Sequence, residues 1–287
     1  MPISGKPESF SAHTKDGAQK IENQKSQIGN HRIAPGVVGS TPAGAADEES
    51  AGRAVRRMFD EIAPRYDFLN HTLSMNVDRL WWRRTARAFL HILARENACV
   101  LDLCAGTGDM SVALRTASER LPAAQAAGLP RILALDFSHA MLQHGLEKFQ
   151  ARRIHPVEAN ALHLPLPDAS MDLVVSAFGF RNLANYDAGL REIGRVLKPG
   201  GEFGILDFSE PGGLLGKLYS IYFRKVLPRI GTWISGVRGP YEYLPASVGK
   251  FPPPPEMIKR MEAAGFHNVR WTKYTFGIAG LYRGTKL

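Results

Sequence analysis

The sequence predicts an α/β protein with a doubly wound, mostly parallel sheet, and three observations carry that prediction. Short apolar runs alternate with helical patterns at the spacing of βαβ units. One run, Val100-Leu101-Asp102-Leu103, passes into Cys104-Ala105-Gly106-Thr107-Gly108 and then into a helical pattern from Asp109, which reads as strand, tight turn and helix. A second run, Ile132 to Leu135, ends in Asp136 ahead of a helix opened by Ser138. In open sheets of this kind ligands sit at the carboxyl ends of the central strands, so these two turns are the candidate site.

The remaining elements follow in order. Ala54 to Leu93 is helical in pattern and broken by Pro64, and residues 54–93 are expected to form an N-terminal lid. Tyr66, Asp67, Asn70, His71 and Ser74 would give that lid polar contacts; an amphipathic helix pair with a solvated face is the plainer alternative, and composition favours it. Val157 to Ala161 reads as the third strand, Leu164 to Asp168 as a rigid loop and Met171 to Ser176 as the fourth strand. Phe178-Gly179-Phe180-Arg181-Asn182 then faces the substrate side. A helix from Ala188 to Leu197 is stopped by Lys198-Pro199-Gly200-Gly201. The fifth strand runs from Phe203 to Ser209. Residues 212–245 interleave aromatic and aliphatic side chains with Lys and Arg, the composition of a cap over a greasy substrate that also touches a membrane surface; a helix packed on the sheet is the alternative. The prolines from Pro252 to Pro255 lead into a helix from Glu256 to Ala264, and His267 to Lys286 reads as a two-stranded hairpin.

At 287 residues, 44% hydrophobic and 22% charged, the chain can bury one large core or a core plus a lid. Residues 1–50 hold a single aromatic, Phe10. They cannot bury enough apolar area to offset the entropy of ordering, so a disordered tail is expected there and a folded domain over 51–287. The charge sits in that domain: beyond residue 50 there are 31 basic against 21 acidic side chains, a net of +10, a surface suited to nucleic acid or an anionic membrane. Two cysteines in one short segment, Cys99 and Cys104, fit a reducing compartment. With no secretory leader and no apolar run near the ~20 residues that span a bilayer, a cytoplasmic protein is expected.

The ligand is read from what does not fit a phosphate. A dinucleotide fingerprint needs a third Gly or Ala where Ser111 stands, and no Lys follows the last Gly as in a P-loop. An acid inside the preceding strand suits a cation, and the cationic nucleoside that fits is S-adenosylmethionine (SAM). A buried structural turn is the competing reading. Asp136 stands where a carboxylate accepts bonds from both ribose hydroxyls, and Asn160 can bond the adenine edge while Ala161 or Leu162 packs on the ring. The expected cofactor contacts are Tyr66, Asp102, Ala105, Gly106, Thr107, Gly108, Asp136, Phe137, Met141, Asn160, Ala161 and Ser176. No histidine pair has metal-ligand spacing, so no metal is expected.

Two separated stretches resemble one family. Tyr66-Asp67-x-Leu69-Asn70-x-x-Leu73-Ser74-x-x-x-Asp78-x-x-Trp81, and Arg195-Val196-Leu197-Lys198-Pro199-Gly200-Gly201 through Asp207-x-Ser209, are similar to the signatures of the menaquinone/ubiquinone biosynthesis C-methyltransferases. The resemblance spans about residue 54 to the end. It implies the class I SAM-dependent methyltransferase fold, a seven-stranded sheet with an antiparallel last strand, and methylation of a ring carbon of a prenylated quinol, demethylmenaquinol before a methoxybenzoquinol. Departures are Cys104-Ala105 in the glycine turn, Asn160 in place of the common Asp, and Asp207 in place of Glu.

A quinol carbon becomes nucleophilic when a neighbouring hydroxyl loses its proton, so a positioned cation is wanted for the developing phenolate. Arg181 is expected in that role because a guanidinium is always charged and holds oxygens in a fixed fork. His71, Asp67 and Tyr243 are the candidate bases, His71 being the easiest to tune near neutral pH, although a surface histidine is an equal reading. Partners expected are the prenylated quinol and transient contact with the inner face of the membrane; a homodimer is compatible, and no nucleic acid is expected, since Phe178–Asn182 replaces the Asn/Asp-Pro-Pro-aromatic motif. The alternative is a methyltransferase for another lipid or phenolic acceptor.

Overall fold

Strand residues that alternate between two apolar layers organise the molecule. The computed structural model describes residues 39–40, 42, 45–66, 74, 76–122, 128–211 and 247–287, all within one compact unit, Gly36–Leu287. Strands β1 (Cys99–Leu103), β2 (Arg131–Asp136), β3 (Ile154–Glu158), β4 (Met171–Ala177), β5 (Leu197–Phe208), β6 (Phe266–Tyr274) and β7 (Ala279–Lys286) form one sheet in the order β3-β2-β1-β4-β5-β7-β6. Neighbours from β3 to β5 pair in parallel, and β7 runs antiparallel to both β5 and β6. This is the mostly parallel seven-stranded sheet with an antiparallel last strand that the resemblance implied.

Leu101, Leu103, Val174, Phe203 and Ile205 point into one layer, closed by α1 (Glu48–Ile62), α6 (Tyr186–Val196) and α7 (Pro254–Ala263) through Ala51, Leu190, Ile193, Met257 and Met261. Val100, Ile132, Leu173, Val175 and Leu206 point into the other. That layer is closed by α2 (Val77–Arg87), α3 (Leu90–Leu93), α4 (Asp109–Glu119) and α5 (His139–Arg152). Period-two alternation across a sheet covered on both faces is what the near-continuous apolar runs encode.

Several boundaries differ from the sequence expectation, each for a physical reason. The third strand is Ile154–Glu158 and includes Pro156; β3 is an edge strand, where a missing N–H is tolerated, and Asn160 and Ala161 lie beyond its end. Lys198–Gly201 does stop α6, but Leu197 already pairs with Met171, and the register jumps so that Leu173 faces Glu202; the turn is an irregularity inside β5. The expected lid divides in two. Trp81, Trp82, Ala86, Phe89, Ile92 and Leu93 on and around α2 and α3 are buried against the sheet, so residues 77–93 pack as a core layer. Helix α1 begins at Glu48, inside the segment that composition assigned to the tail. It is fixed by a capping box in which Asp47 Oδ1 accepts from Ser50 N at 2.7 Å, and further upstream Ser40 N donates to Leu183 O at 2.7 Å. The expected cap over 212–245 lies outside the described residues.

Candidate active site

A cavity of about 770 Å³ opens where the carboxyl ends of β1, β2 and β4 meet α1. The glycine turn, of which Ala105, Gly106 and Thr107 border the cavity, needs its glycines: Gly106 and Gly108 take φ of 56° and 88°, left-handed angles that favour glycine. At Gly108 a Cβ would also fall 2.1 Å from the Phe149 ring. The turn delivers the backbone to the first residues of α4, of which Asp109 and Met110 border the cavity.

Asp102 on β1 is fully buried and borders the cavity. Ser111 Oγ donates to its Oδ2 at 2.6 Å, while Oδ1 has no hydrogen-bond partner. Burial, partly opposed by Ser111, pushes its carboxyl up to about 7. A buried carboxylate oxygen without a donor is costly unless a ligand supplies one. Asp136 is likewise pushed up to about 6 by burial; its Oδ2 accepts from Gly106 N at 2.8 Å and its Oδ1 from Ser138 N at 2.9 Å. These bonds tie the second turn to the first, so the two carboxylates share one rigid floor.

Ten of the twelve expected cofactor residues border this cavity: Tyr66, Asp102, Ala105, Gly106, Thr107, Asp136, Phe137, Met141, Asn160 and Ala161. Gly108 and Ser176 do not. Asn160 Oδ1 accepts from Leu162 N at 3.0 Å, which fixes the amide at the mouth of the strand. The wall formed by α1 was not read from sequence. Glu48, Glu49, Gly52, Arg53 and Arg56 border the cavity, and Arg56 Nη2 pairs with Glu158 Oε1 at 2.5 Å across it. Glu158 Oε2 also lies 2.8 Å from His139 Nδ1, and Ser138 Oγ donates to Asp60 Oδ1 at 2.5 Å. No local signal connects Arg56 to a glutamate 102 positions away.

Arg181, the expected partner of the phenolate, is held by Asp207 in the structure. Its side chain is buried, and Nη1 pairs with Asp207 Oδ1 at 3.0 Å, while its backbone N donates to Asp207 Oδ2 at 3.0 Å. Burial pushes the Asp207 carboxyl up and the guanidinium opposes that. Nη1 also donates to the carbonyl of Phe178. Its Nε has no hydrogen-bond partner, and Arg181 does not border the cavity. What does border it is Phe178, a non-glycine residue at φ 59° whose ring lies 4.5 Å from Phe208 and 5.7 Å from Trp81, together with Gly179 and Asn182. Arg181 therefore clamps a strained residue at the end of β4. His71, Asp67 and Tyr243 lie outside the described residues.

Among the described residues no group of three His, Cys, Asp or Glu side chains is placed to hold a metal. Cys104, at φ 58° on the cavity floor, has its thiol raised well above the ordinary range by burial and by the neighbouring Asp136 and Asp102, so it is not a thiolate nucleophile.

Sheet order, glycine turn and paired acids define a methyltransferase of the class I, SAM-dependent type. A solved SAM-dependent methyltransferase from Thermotoga maritima, described as a possible histamine N-methyltransferase, superposes with a TM-score of 0.54 at 19% identity, covering 81% of this chain and all of that one; at that identity the likeness speaks for the fold. Residues 46–286 match the ubiE/COQ5 methyltransferase family, and the chain belongs to it. Demethylmenaquinone methyltransferase of Deinococcus radiodurans is 46% identical over 243 residues, 84% of this chain and 95% of its own length. The protein of the same name from Thermus thermophilus is 44% identical over 232 residues, 80% of this chain and all of its own.

Proposed function

We propose that the chain transfers a methyl group from SAM to a ring carbon of a prenylated quinol, demethylmenaquinol before a methoxybenzoquinol. The observation that carries the cofactor is Asp102, whose buried Oδ1 has no partner on the cavity wall. It matches the ammonium of a cationic amino acid nucleoside. Asp136 would accept from the ribose hydroxyls, and Asn160, Ala161 and Met141 would hold the base. When bound, the sulfonium supplies an activated methyl group. The acceptor reading rests on the names of the two relatives.

The chain's part is orientation. Phe178 offers an aromatic face and Asn182 a side-chain amide on the acceptor side of the cavity, and the Arg181–Asp207 pair keeps that edge in place. Removal of the quinol proton is assigned to a group among His71, Asp67 and Tyr243. The experiment is transfer from labelled SAM to chemically reduced demethylmenaquinol and, separately, to a reduced methoxybenzoquinol. Turnover on the first, faster than on the second, is expected; turnover on neither, with SAM bound, would turn the assignment to another lipid or phenolic acceptor.

A further inference from the structure

The outer face of α2 carries Arg79, Leu80, Arg83, Arg84 and Arg87, all exposed, with Leu80 59% exposed. Arg79, Arg83 and Arg87 make no ion pair among the described residues, and like charges four apart on a helix repel. Beside this face lies the turn Thr275–Gly277 between β6 and β7. Trp81 Nε1 donates to Thr275 Oγ1 at 2.7 Å, and the Arg84 guanidinium lies 4.3 Å over the Tyr274 ring, so helix and turn form one surface. At its tip Phe276 is 81% exposed and sits at φ 57°. The turn is held firmly: Ser209 Oγ donates to Gly277 O at 2.7 Å and Ser209 N to Ile278 O at 2.9 Å. A bulky residue held left-handed and pointed at water is a strained arrangement that folding alone does not need.

Both β5 and β6 end at this place, the carboxyl edge of the sheet that also bears the cavity. Trp81, which donates to the turn, has its ring 5.7 Å from that of Phe178, a residue that borders the cavity. We infer that Arg79, Arg83, Arg87, Leu80 and Phe276 form a docking surface for an anionic lipid bilayer, placing the cavity next to the membrane that holds a prenylated acceptor; this rests on the acceptor reading above. Unpaired arginines complement acidic headgroups, and the two exposed apolar tips enter the interface between headgroups and chains. A surface for nucleic acid alone would gain little from an exposed leucine.

Flotation of the full chain with phosphatidylcholine vesicles, with and without phosphatidylglycerol, tests this. Wild type is expected to float with the anionic vesicles only. Each arginine near an acidic surface is worth about fivefold in partitioning, so Arg79→Gln/Arg83→Gln/Arg87→Gln should weaken it by about a hundredfold. Leu80→Ser/Phe276→Ser should also release the protein. Both variants should keep turnover on a water-soluble short-chain quinol and lose it on a long-chain quinol carried in the vesicles. Undiminished flotation of both variants, or binding to duplex DNA or RNA without binding to vesicles, would overturn the surface. If wild type turns over no quinol yet floats as described, the acceptor reading fails and the docking surface stands.

Discussion

Asp102 is costly to the free protein, and the proposed ammonium contact would offset that cost, so its titration separates the two. In the ligand-free state its carboxyl titrates near 7, and binding an ammonium needs the ionised form. SAM affinity should therefore fall as pH drops below 7, approaching about tenfold per pH unit for one linked proton. Asp102→Asn should weaken binding by about ten- to a hundredfold, the scale of a charge-assisted hydrogen bond, and abolish the slope; calorimetric titration at several pH values reads both. Arg181 makes a different prediction. Breaking a buried pair leaves Asp207 uncompensated, so Arg181→Met should cost about 3–5 kcal/mol in urea unfolding. Arg181→Met/Asp207→Leu should regain most of that stability without regaining turnover, because the Phe178 carbonyl stays unclamped. Full recovery of turnover in the double variant would show that the clamp has no part in catalysis.

Elements differ in how far the chain order reveals them. The strand, turn and helix from Cys99 to Glu119 was legible because its apolar run, its glycines and its helix start are contiguous. The α1 wall was not, because its contacts with Glu158 and Asn185 join residues more than a hundred positions apart. The Arg181–Asp207 pair hid for a related reason: Arg181 lies in the turn that follows β4 and Asp207 on β5, and only the sheet order supplies their adjacency. Residues 77–93 left two readings open, a lid and an amphipathic helix pair, since an amphipathic pattern reports that one face is buried but not what buries it. As a core layer, α3 should behave like core: Leu93→Ala should cost about 2–5 kcal/mol and leave the SAM dissociation constant of the folded protein unchanged. A lid would show the reverse, little loss of stability with weakened binding.

At the scale of the whole molecule, the buried acids of the site set the pH dependence of stability. Asp102 and Asp136, raised from 3.8 to about 7 and about 6, bind protons in the folded state where the unfolded chain does not. Their contribution is full below pH 3.8 and is lost as pH rises through 6 and 7. Asp102→Asn should thus gain stability relative to wild type as pH rises from 3.8 to about 7, read by thermal unfolding without SAM; a pH-independent difference would place the carboxyl in the ordinary range. The fold and ten of the residues that border the cavity were legible from local motifs, whereas the Arg181–Asp207 pair and the α1 wall depend on pairings between distant segments. The central claim concerns the atom that receives the methyl group. Incubation with reduced demethylmenaquinol and SAM carrying a ¹³C methyl group, followed by carbon NMR of the product, tests it most directly. The account predicts one new aryl-bound methyl carbon; a label found on oxygen, or on no product at all while SAM binds, would contradict it.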